Sequence, residues 1–386
     1  MQGKYNSWPQ FILAKINRWF LRLKISSLIT WKQVQSNELE DGCTALLGMC
    51  SRLPEVLEAN LRCLYTQRWS DLKSVFIIVD NKQGCLSDDF QQKIINLFPE
   101  LNIQFFYYNE KQYQVSQQLQ LPYVFCWLSW CIGLSKVNTK TILLHDYDAL
   151  ILSKHLSDRY QKFIKTQVKV QGIKCYKTNG FSRQDLLATT FEAFVDTAWV
   201  RSFTPIKLFN HVGLYKNRKV DYDILLYLQA QQIEPSQKDV TPVEPQDLVH
   251  PTQMIHQYTM FQKCPNKPLP CYSIIMIPLF AFLSGNQQAF RNSINSIEAI
   301  DRDNSKAVNF LSDGSQINFS KLKTVDVDWA LKQILEAFLS LEIEPFTDFI
   351  EYGNSLYLLC KTPNEKLWIG DFTPSQKQWI QSAQSL

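Results

Sequence analysis

The strongest constraint on the fold is an alternation of apolar runs and helical periods that begins at Asp41. Cys43 to Cys50 is a continuous apolar run of strand length, broken by Ser51, Arg52 and Pro54, and a helical period follows from Glu55 to Gln67. A second apolar run, Ser74 to Val79, stops at Asp80 and Asn81. Strand, helix and strand within about 40 residues form a βαβ unit, so a parallel sheet covered by helices is expected. The alternation continues with a helix over Asp88–Leu97, a strand over Asn102–Tyr108, a helix over about Pro122–Val137 and a strand over Thr141–His145. Ligands of such sheets gather at the carboxyl ends of the strands. Attention therefore falls on Cys50–Pro54, on Asp80 and Asn81, and on the segment after Leu144.

Composition narrows the function classes. The chain is 45% hydrophobic and 20% charged, which is globular rather than disordered. Forty Lys and Arg against 36 Asp and Glu leave a net charge of +4, so no protein-wide basic field for nucleic acid is expected. The ten cysteines contain no CxxC pair, and the nearest neighbours, Cys126/Cys131, Cys264/Cys271 and Cys43/Cys50, lack the spacing of zinc knuckles or thioredoxin-type sites. Reduced thiols in a cytoplasmic protein are the simplest expectation. The most apolar stretches, Val124–Leu134 and Ile274–Leu283, are about half the roughly 20 residues of a membrane span.

The basic excess sits at the N-terminus, where Lys4, Lys15, Arg18, Arg22, Lys24 and Lys32 precede the first acid, Glu38. On a helical wheel from Gln10 to Trp31, Ile12, Ile16, Trp19, Phe20 and Leu23 share one face, with Lys15, Arg18 and Arg22 beside it. Two expectations stand level: residues 10–31 lie on an anionic membrane surface, peripheral to its inner face, or the same apolar face packs on the body of the protein.

After Leu144 come Asp146 and Asp148, spaced i and i+2 at a strand end, where both carboxylates can turn toward one hard cation and the phosphates it carries. The same spacing recurs at Asp221/Asp223, Asp301/Asp303 and Asp326/Asp328, so it carries little weight alone. Asp146 and Asp148 are set apart by their context, with Ile142–Leu144 before them and Ala149–Leu152 after. Carboxylates buried in apolar strand need a cation or strong donors, which leaves a metal–phosphate role or a structural ion pair.

A strand ending near Ser51-Arg52, a long helix ending in Leu64–Gln67, a strand closing on Asp80 and a DxD at the end of a later strand resemble a GT-A glycosyltransferase, closest to the family 2 type. The resemblance covers roughly Cys43 to Asp223. It implies a mixed, mainly parallel α/β sheet flanked by helices and a nucleotide-diphosphate-sugar donor. It places Arg52, Asp80 and Asp146 on the donor side, Asp80 accepting from the nucleobase and Asp146 facing the ribose and the water shell of the metal. It makes Asp148 a direct ligand of Mn²⁺ or Mg²⁺. Asn81 stands where a second acid is common, which leaves the base preference open. No Gln-x-x-Arg-Trp signature is found, which argues against a processive polysaccharide synthase.

The same resemblance puts the general base at the start of a helix well beyond the DxD. Asp221 in Val220–Leu225 fits, with Val220 in place of the usual Glu, while a helix N-cap is the structural alternative and Glu192 and Asp196 are reserves. Further on, His250 is the candidate third metal ligand, since an imidazole beside two carboxylates suits Mn²⁺, with a surface or capping histidine as the alternative. His256 is expected inside a helix from Thr252. Trp199, Phe203 and Tyr215 suit either stacking on a sugar or the core.

The expected organisation is a basic amphipathic segment over 1–40, a GT-A domain over 41–285 and an α+β appendage over 286–386. The appendage is expected to hold a hairpin (Ala307–Leu311, an Asp313-Gly314 turn, Gln316–Phe319) and a helix over Val327–Leu341. Short strands are expected over Phe346–Glu351, Ser355–Cys360 and Lys366–Phe372. The leading expectation is an inverting, metal-dependent glycosyltransferase acting on a glycan or lipid-linked acceptor. The alternative is a catalytically degenerate GT-A domain that binds a nucleotide sugar or serves as a scaffold.

Overall fold

The computed structural model describes residues 4–152, 155–174, 179–182, 184–242, 247–263, 273–298, 307–308, 317–318 and 322–386. The chain forms two compact units. The first takes Met1–Arg52, Tyr65–Tyr147 and Lys154–Val243, and the second takes Leu53–Leu64, Asp148–Ser153 and Glu244–Leu386.

The first unit is built on a seven-stranded sheet. Its parallel half runs β4 (Thr139–Leu144), β1 (Glu40–Met49), β2 (Leu72–Val79) and β3 (Ile103–Tyr107). Beyond β4, Ala188–Asp196 pairs antiparallel with both β4 and Val170–Lys174, and Lys238–Thr241 closes the edge in parallel. The sheet is therefore mixed and mainly parallel, an α/β fold. Leu46, Leu47, Ile77 and Ile78 are fully buried, which is why the central strands read as unbroken apolar runs rather than alternating ones. The helices Asp88–Leu97 and Pro122–Lys136 stand where the helical period placed them. Ser87 caps the first, its hydroxyl accepting from Phe90 N at 3.2 Å. A polar helix over Glu110–Leu119 is additional, held by a capping box between Asn109 and Gln112.

The N-terminal helix α1 (Trp8–Ile25) starts at Ser7, whose hydroxyl accepts from Gln10 N. Its buried side is formed by Phe11 and Ile25, with the Arg18 side chain only 12% exposed. Ile12, Ile16, Trp19, Phe20 and Leu23 are exposed. The apolar stripe thus does not pack on the body. The side carrying Arg18 and Arg22 faces inward, where Asp221 and His211 receive them.

The second unit is mainly helical. Helices Thr324–Ser340, Thr347–Leu359 and Pro374–Gln384 surround an aromatic core in which Phe338 meets Phe349 at 5.1 Å and stacks on Trp379 at 5.3 Å. The strands expected over Phe346–Glu351 and Ser355–Cys360 are one helix. Phe349, Ile350, Tyr352, Leu356 and Tyr357 are buried at helical spacing. Gly353, read as part of a turn, is there for packing, since a Cβ would lie 2.2 Å from Trp368 Cζ2. Lys366–Phe372 is likewise not a strand. Ala307–Val308 pairs antiparallel with Ile317–Asn318 as the hairpin requires. The Asp313-Gly314 turn, the Asp301/Asp303 pair and the Cys264/Cys271 pair lie outside the described residues. Among the described residues no helix is long and apolar enough to cross a membrane.

Candidate metal centre

In the second unit a two-residue antiparallel ladder pairs Leu150 with Val249 and Ile151 with Leu248. That register sets Asp148, just before one strand, and His250, just after the other, at the same end of the ladder. His250 Nε2 lies 3.3 Å from Asp148 Oδ1, and both residues are 8% exposed. Thr252 Oγ1 stands 3.2 Å from His250 Nδ1 and orients the ring. Asn60 Nδ2 donates to the Ala149 carbonyl at 2.8 Å, which fixes the bend beside Asp148. A carboxylate oxygen and an imidazole nitrogen facing each other in a buried place form an ion pair or share a cation.

In the first unit the chain leaves β4 through His145 and Asp146. His145 is fully buried, and its Nδ1 donates to the Phe191 carbonyl at 2.9 Å. Asp146 Oδ1 accepts from Thr190 Oγ1 at 3.0 Å. Asp146 precedes Asp148 by two residues along the chain. Thr190 and Thr252 were not singled out in the sequence, because a threonine two positions from a ligand or on a neighbouring strand leaves no pattern.

Asp80 ends β2. Its Oδ1 accepts from Ser51 N at 2.8 Å, and its own N–H donates to Met49 O at 3.0 Å, so Asp80 shapes the turn that leaves β1. Burial pushes its carboxyl up, opposed by the Ser51 hydrogen bonds and the Arg52 charge. Arg52 itself is exposed. Asn81 Nδ2 donates to Ser51 Oγ at 3.3 Å, which ties the ends of β1 and β2 together.

Asp221 is not at the start of a helix. It lies in the strand Arg218–Tyr222, paired antiparallel with His211–Tyr215, and the next helix begins at Leu226. The N-cap alternative fails with it; Asp223 Oδ1 instead accepts from Ile224 N and Asn210 Nδ2, both at 2.9 Å. The physical reason is alternation: Val220 and Tyr222 point into an apolar cluster with Phe181 and Leu226, a period of two. Asp221 is 7% exposed, and Lys4 Nζ (3.0 Å), Tyr5 Oη (3.4 Å) and Arg18 Nη2 (3.3 Å) all donate to its Oδ2.

The reserve acids are also engaged. Glu192, 1% exposed, accepts from His155 Nε2 at 3.0 Å and from Arg159. Burial pushes its carboxyl up, but the hydrogen bond from His155 and the charges of Arg159 and His155 outweigh this and hold it below the usual range. Asp196 caps the short helix after it, accepting from Trp199 N at 2.8 Å, and pairs with Lys169 at 2.6 Å. Trp199 and Phe203 meet edge to face at 5.6 Å, and Tyr215 packs on Phe181 at 5.6 Å, so these rings sit in or against the core.

No protein-family model and no curated protein matches the chain. Solved glycosyltransferases are similar at low identity. The galactosyltransferase LgtC, in complex with donor and acceptor sugar analogs, is 8% identical over 43% of this chain, with a TM-score of 0.33; the match spans 62% of LgtC's length. TarS from S. aureus is 13% identical, covering 83% of this chain and 90% of that one, with a TM-score of 0.35. The mannosyltransferase PcManGT from Pyrobaculum calidifontis, in complex with GDP-Man and Mn²⁺, is 10% identical, covering 97% and 94%, with a TM-score of 0.33.

Proposed function

We propose that this chain is a glycosyltransferase that moves a sugar, with inversion, from a nucleotide-diphosphate sugar to a hydroxyl of a glycan or lipid-linked acceptor. The observation that carries the reading is the buried Asp148–His250 pair, brought to one end of a short strand ladder by its register. Asp146, two residues upstream on a loop that leaves a parallel strand, is proposed as the third ligand of Mn²⁺ or Mg²⁺. Two carboxylates and an imidazole are a donor set suited to Mn²⁺. When bound, such a cation offsets the charge that builds on a leaving diphosphate. Asp80 and Arg52 are proposed donor contacts at the neighbouring strand end. There Ser51 N already binds one oxygen of Asp80 and fixes the direction of its carboxylate.

The proposed base is Asp221. To take a proton from an acceptor hydroxyl it must shed the donors from Lys4, Tyr5 and Arg18, because a lone pair held by a cation is a poor base. That same shielding favours the second reading, a degenerate domain that binds the donor without turnover. Release of nucleoside diphosphate from UDP-, GDP- and dTDP-sugars in the presence of Mn²⁺ separates the two. Turnover of one donor that is lost in Asp148→Ala and in Asp221→Asn supports the enzyme. Donor binding with no turnover in the intact chain supports the binder.

A further inference from the structure

The helix α1 is turned inside out relative to an ordinary surface helix. Ile12, Leu13, Ile16, Trp19, Phe20 and Leu23 are each 45% to 60% exposed and lie along one side of an 18-residue helix about 27 Å long. A globular protein normally turns such a stripe to its core. Here the opposite side is pinned instead: Phe11 and Ile25 are buried, Arg18 reaches Asp221, Arg22 Nη1 meets His211 Nδ1 at 3.1 Å, and Trp31 Nε1 donates to Phe203 O at 2.8 Å just beyond the helix. The stripe is therefore displayed by a helix whose orientation is fixed, not by a loosely attached end.

Charge decides what the stripe fits. On the wheel, Lys15 flanks it on one side and Lys24 on the other, and both are exposed. Lys219 stands over the Trp8 ring at 5.0 Å, so the N-terminal end of the helix is also cationic, and no acid occurs before Glu38. Two copies meeting through this face would bring like charges together, whereas anionic phosphates complement them. Tryptophans at the margin of an apolar face with lysines beside them match the layered polarity of a lipid headgroup region. The exposed Leu214 and a groove of about 420 Å³ between α1 and the His211–Tyr215 strand extend the apolar surface sideways.

We propose that α1 docks this protein on an anionic lipid bilayer, lying in the plane of the surface with Ile16, Trp19, Phe20 and Leu23 among the acyl chains and Lys15 and Lys24 at the phosphates. The inner side keeps its ties to Asp221 and His211, so docking requires no rearrangement of the body. This inference does not depend on glycosyl transfer.

The test is flotation of the full chain with vesicles of phosphatidylcholine alone and of phosphatidylcholine with about one third phosphatidylglycerol. The expected result is flotation with the anionic vesicles, weakened by salt. Binding should be lost by roughly ten-fold or more in Trp19→Glu/Phe20→Glu, whose substituted side chains are in solvent. A thermal melt of that variant that matches the parent shows that the loss is not unfolding. Should the melt fall, Ile16→Ser takes its place. Failure to float with either vesicle overturns the proposal, and so does a concentration-dependent dimer that the same substitutions dissolve.

Discussion

Arg18 Nη2 lies 3.3 Å from Asp221 Oδ2, joining the first helix to a strand two hundred residues later. Both side chains are nearly buried, at 12% and 9% exposure, and the guanidinium also sits 4.2 Å from the Tyr123 ring centroid. The pair fixes α1 on the body and occupies the carboxylate proposed as base. Removing one partner leaves a buried charge uncompensated, so Asp221→Ala is expected to cost about 3 kcal/mol in a denaturant titration. The double variant Arg18→Met/Asp221→Leu is expected to recover most of that loss. Equal loss in the single and double variants contradicts the pairing.

His211 supplies a pH dependence. Burial first, and then the charges of Arg22, Lys15 and Lys207, push its pKa down from the ordinary 6.5 to about 4. The unfolded chain therefore takes up the proton first as the pH falls. The contribution of the neutral ring is complete above 6.5 and is lost progressively toward 4. The melting temperature of the parent is expected to fall across that window more steeply than that of His211→Gln. Parallel curves count against a buried neutral imidazole.

Asp148 and His250 can be tested without a substrate. A ligand that binds only the folded state raises its stability by mass action, about 2.7 kcal/mol at a hundred times the dissociation constant. Mn²⁺ is expected to raise the melting temperature of the intact chain. It should leave Asp148→Ala unmoved and shift His250→Ala less. A similar rise in all three locates the cation elsewhere.

The parts of the fold that were legible in the sequence are those in which one strong term dominates. Along most of their length β1, β2 and β4 are buried and carry apolar runs, and the Asp88–Leu97 helix announces itself with a serine cap and two acids in its first turn. Asp146, Asp148 and His250 stood out because carboxylates between two apolar runs and a scarce histidine are visible one residue at a time. What stayed hidden depends on long-range partners. Gly353-Asn354 looks like a turn until Trp368 is seen pressing on the glycine. Asp221 looks like a helix start until Val220 and Tyr222 are seen facing the same apolar cluster. The wheel gave the stripe on α1 but not its direction, because the direction is set by Asp221 and His211. The Glu110–Leu119 helix did carry a signal, the Asn109/Gln112 capping box, obscured by its polar composition.

The most direct measurement is calorimetric titration of the full chain with UDP-, GDP- and dTDP-sugars, each with Mn²⁺, with EDTA, and against Asp148→Ala. The account expects one donor to bind only when Mn²⁺ is present, and that binding to vanish in the variant. Binding of no donor, or donor binding that EDTA and Asp148→Ala leave unchanged, contradicts it and leaves the Asp148–His250 pair a structural contact.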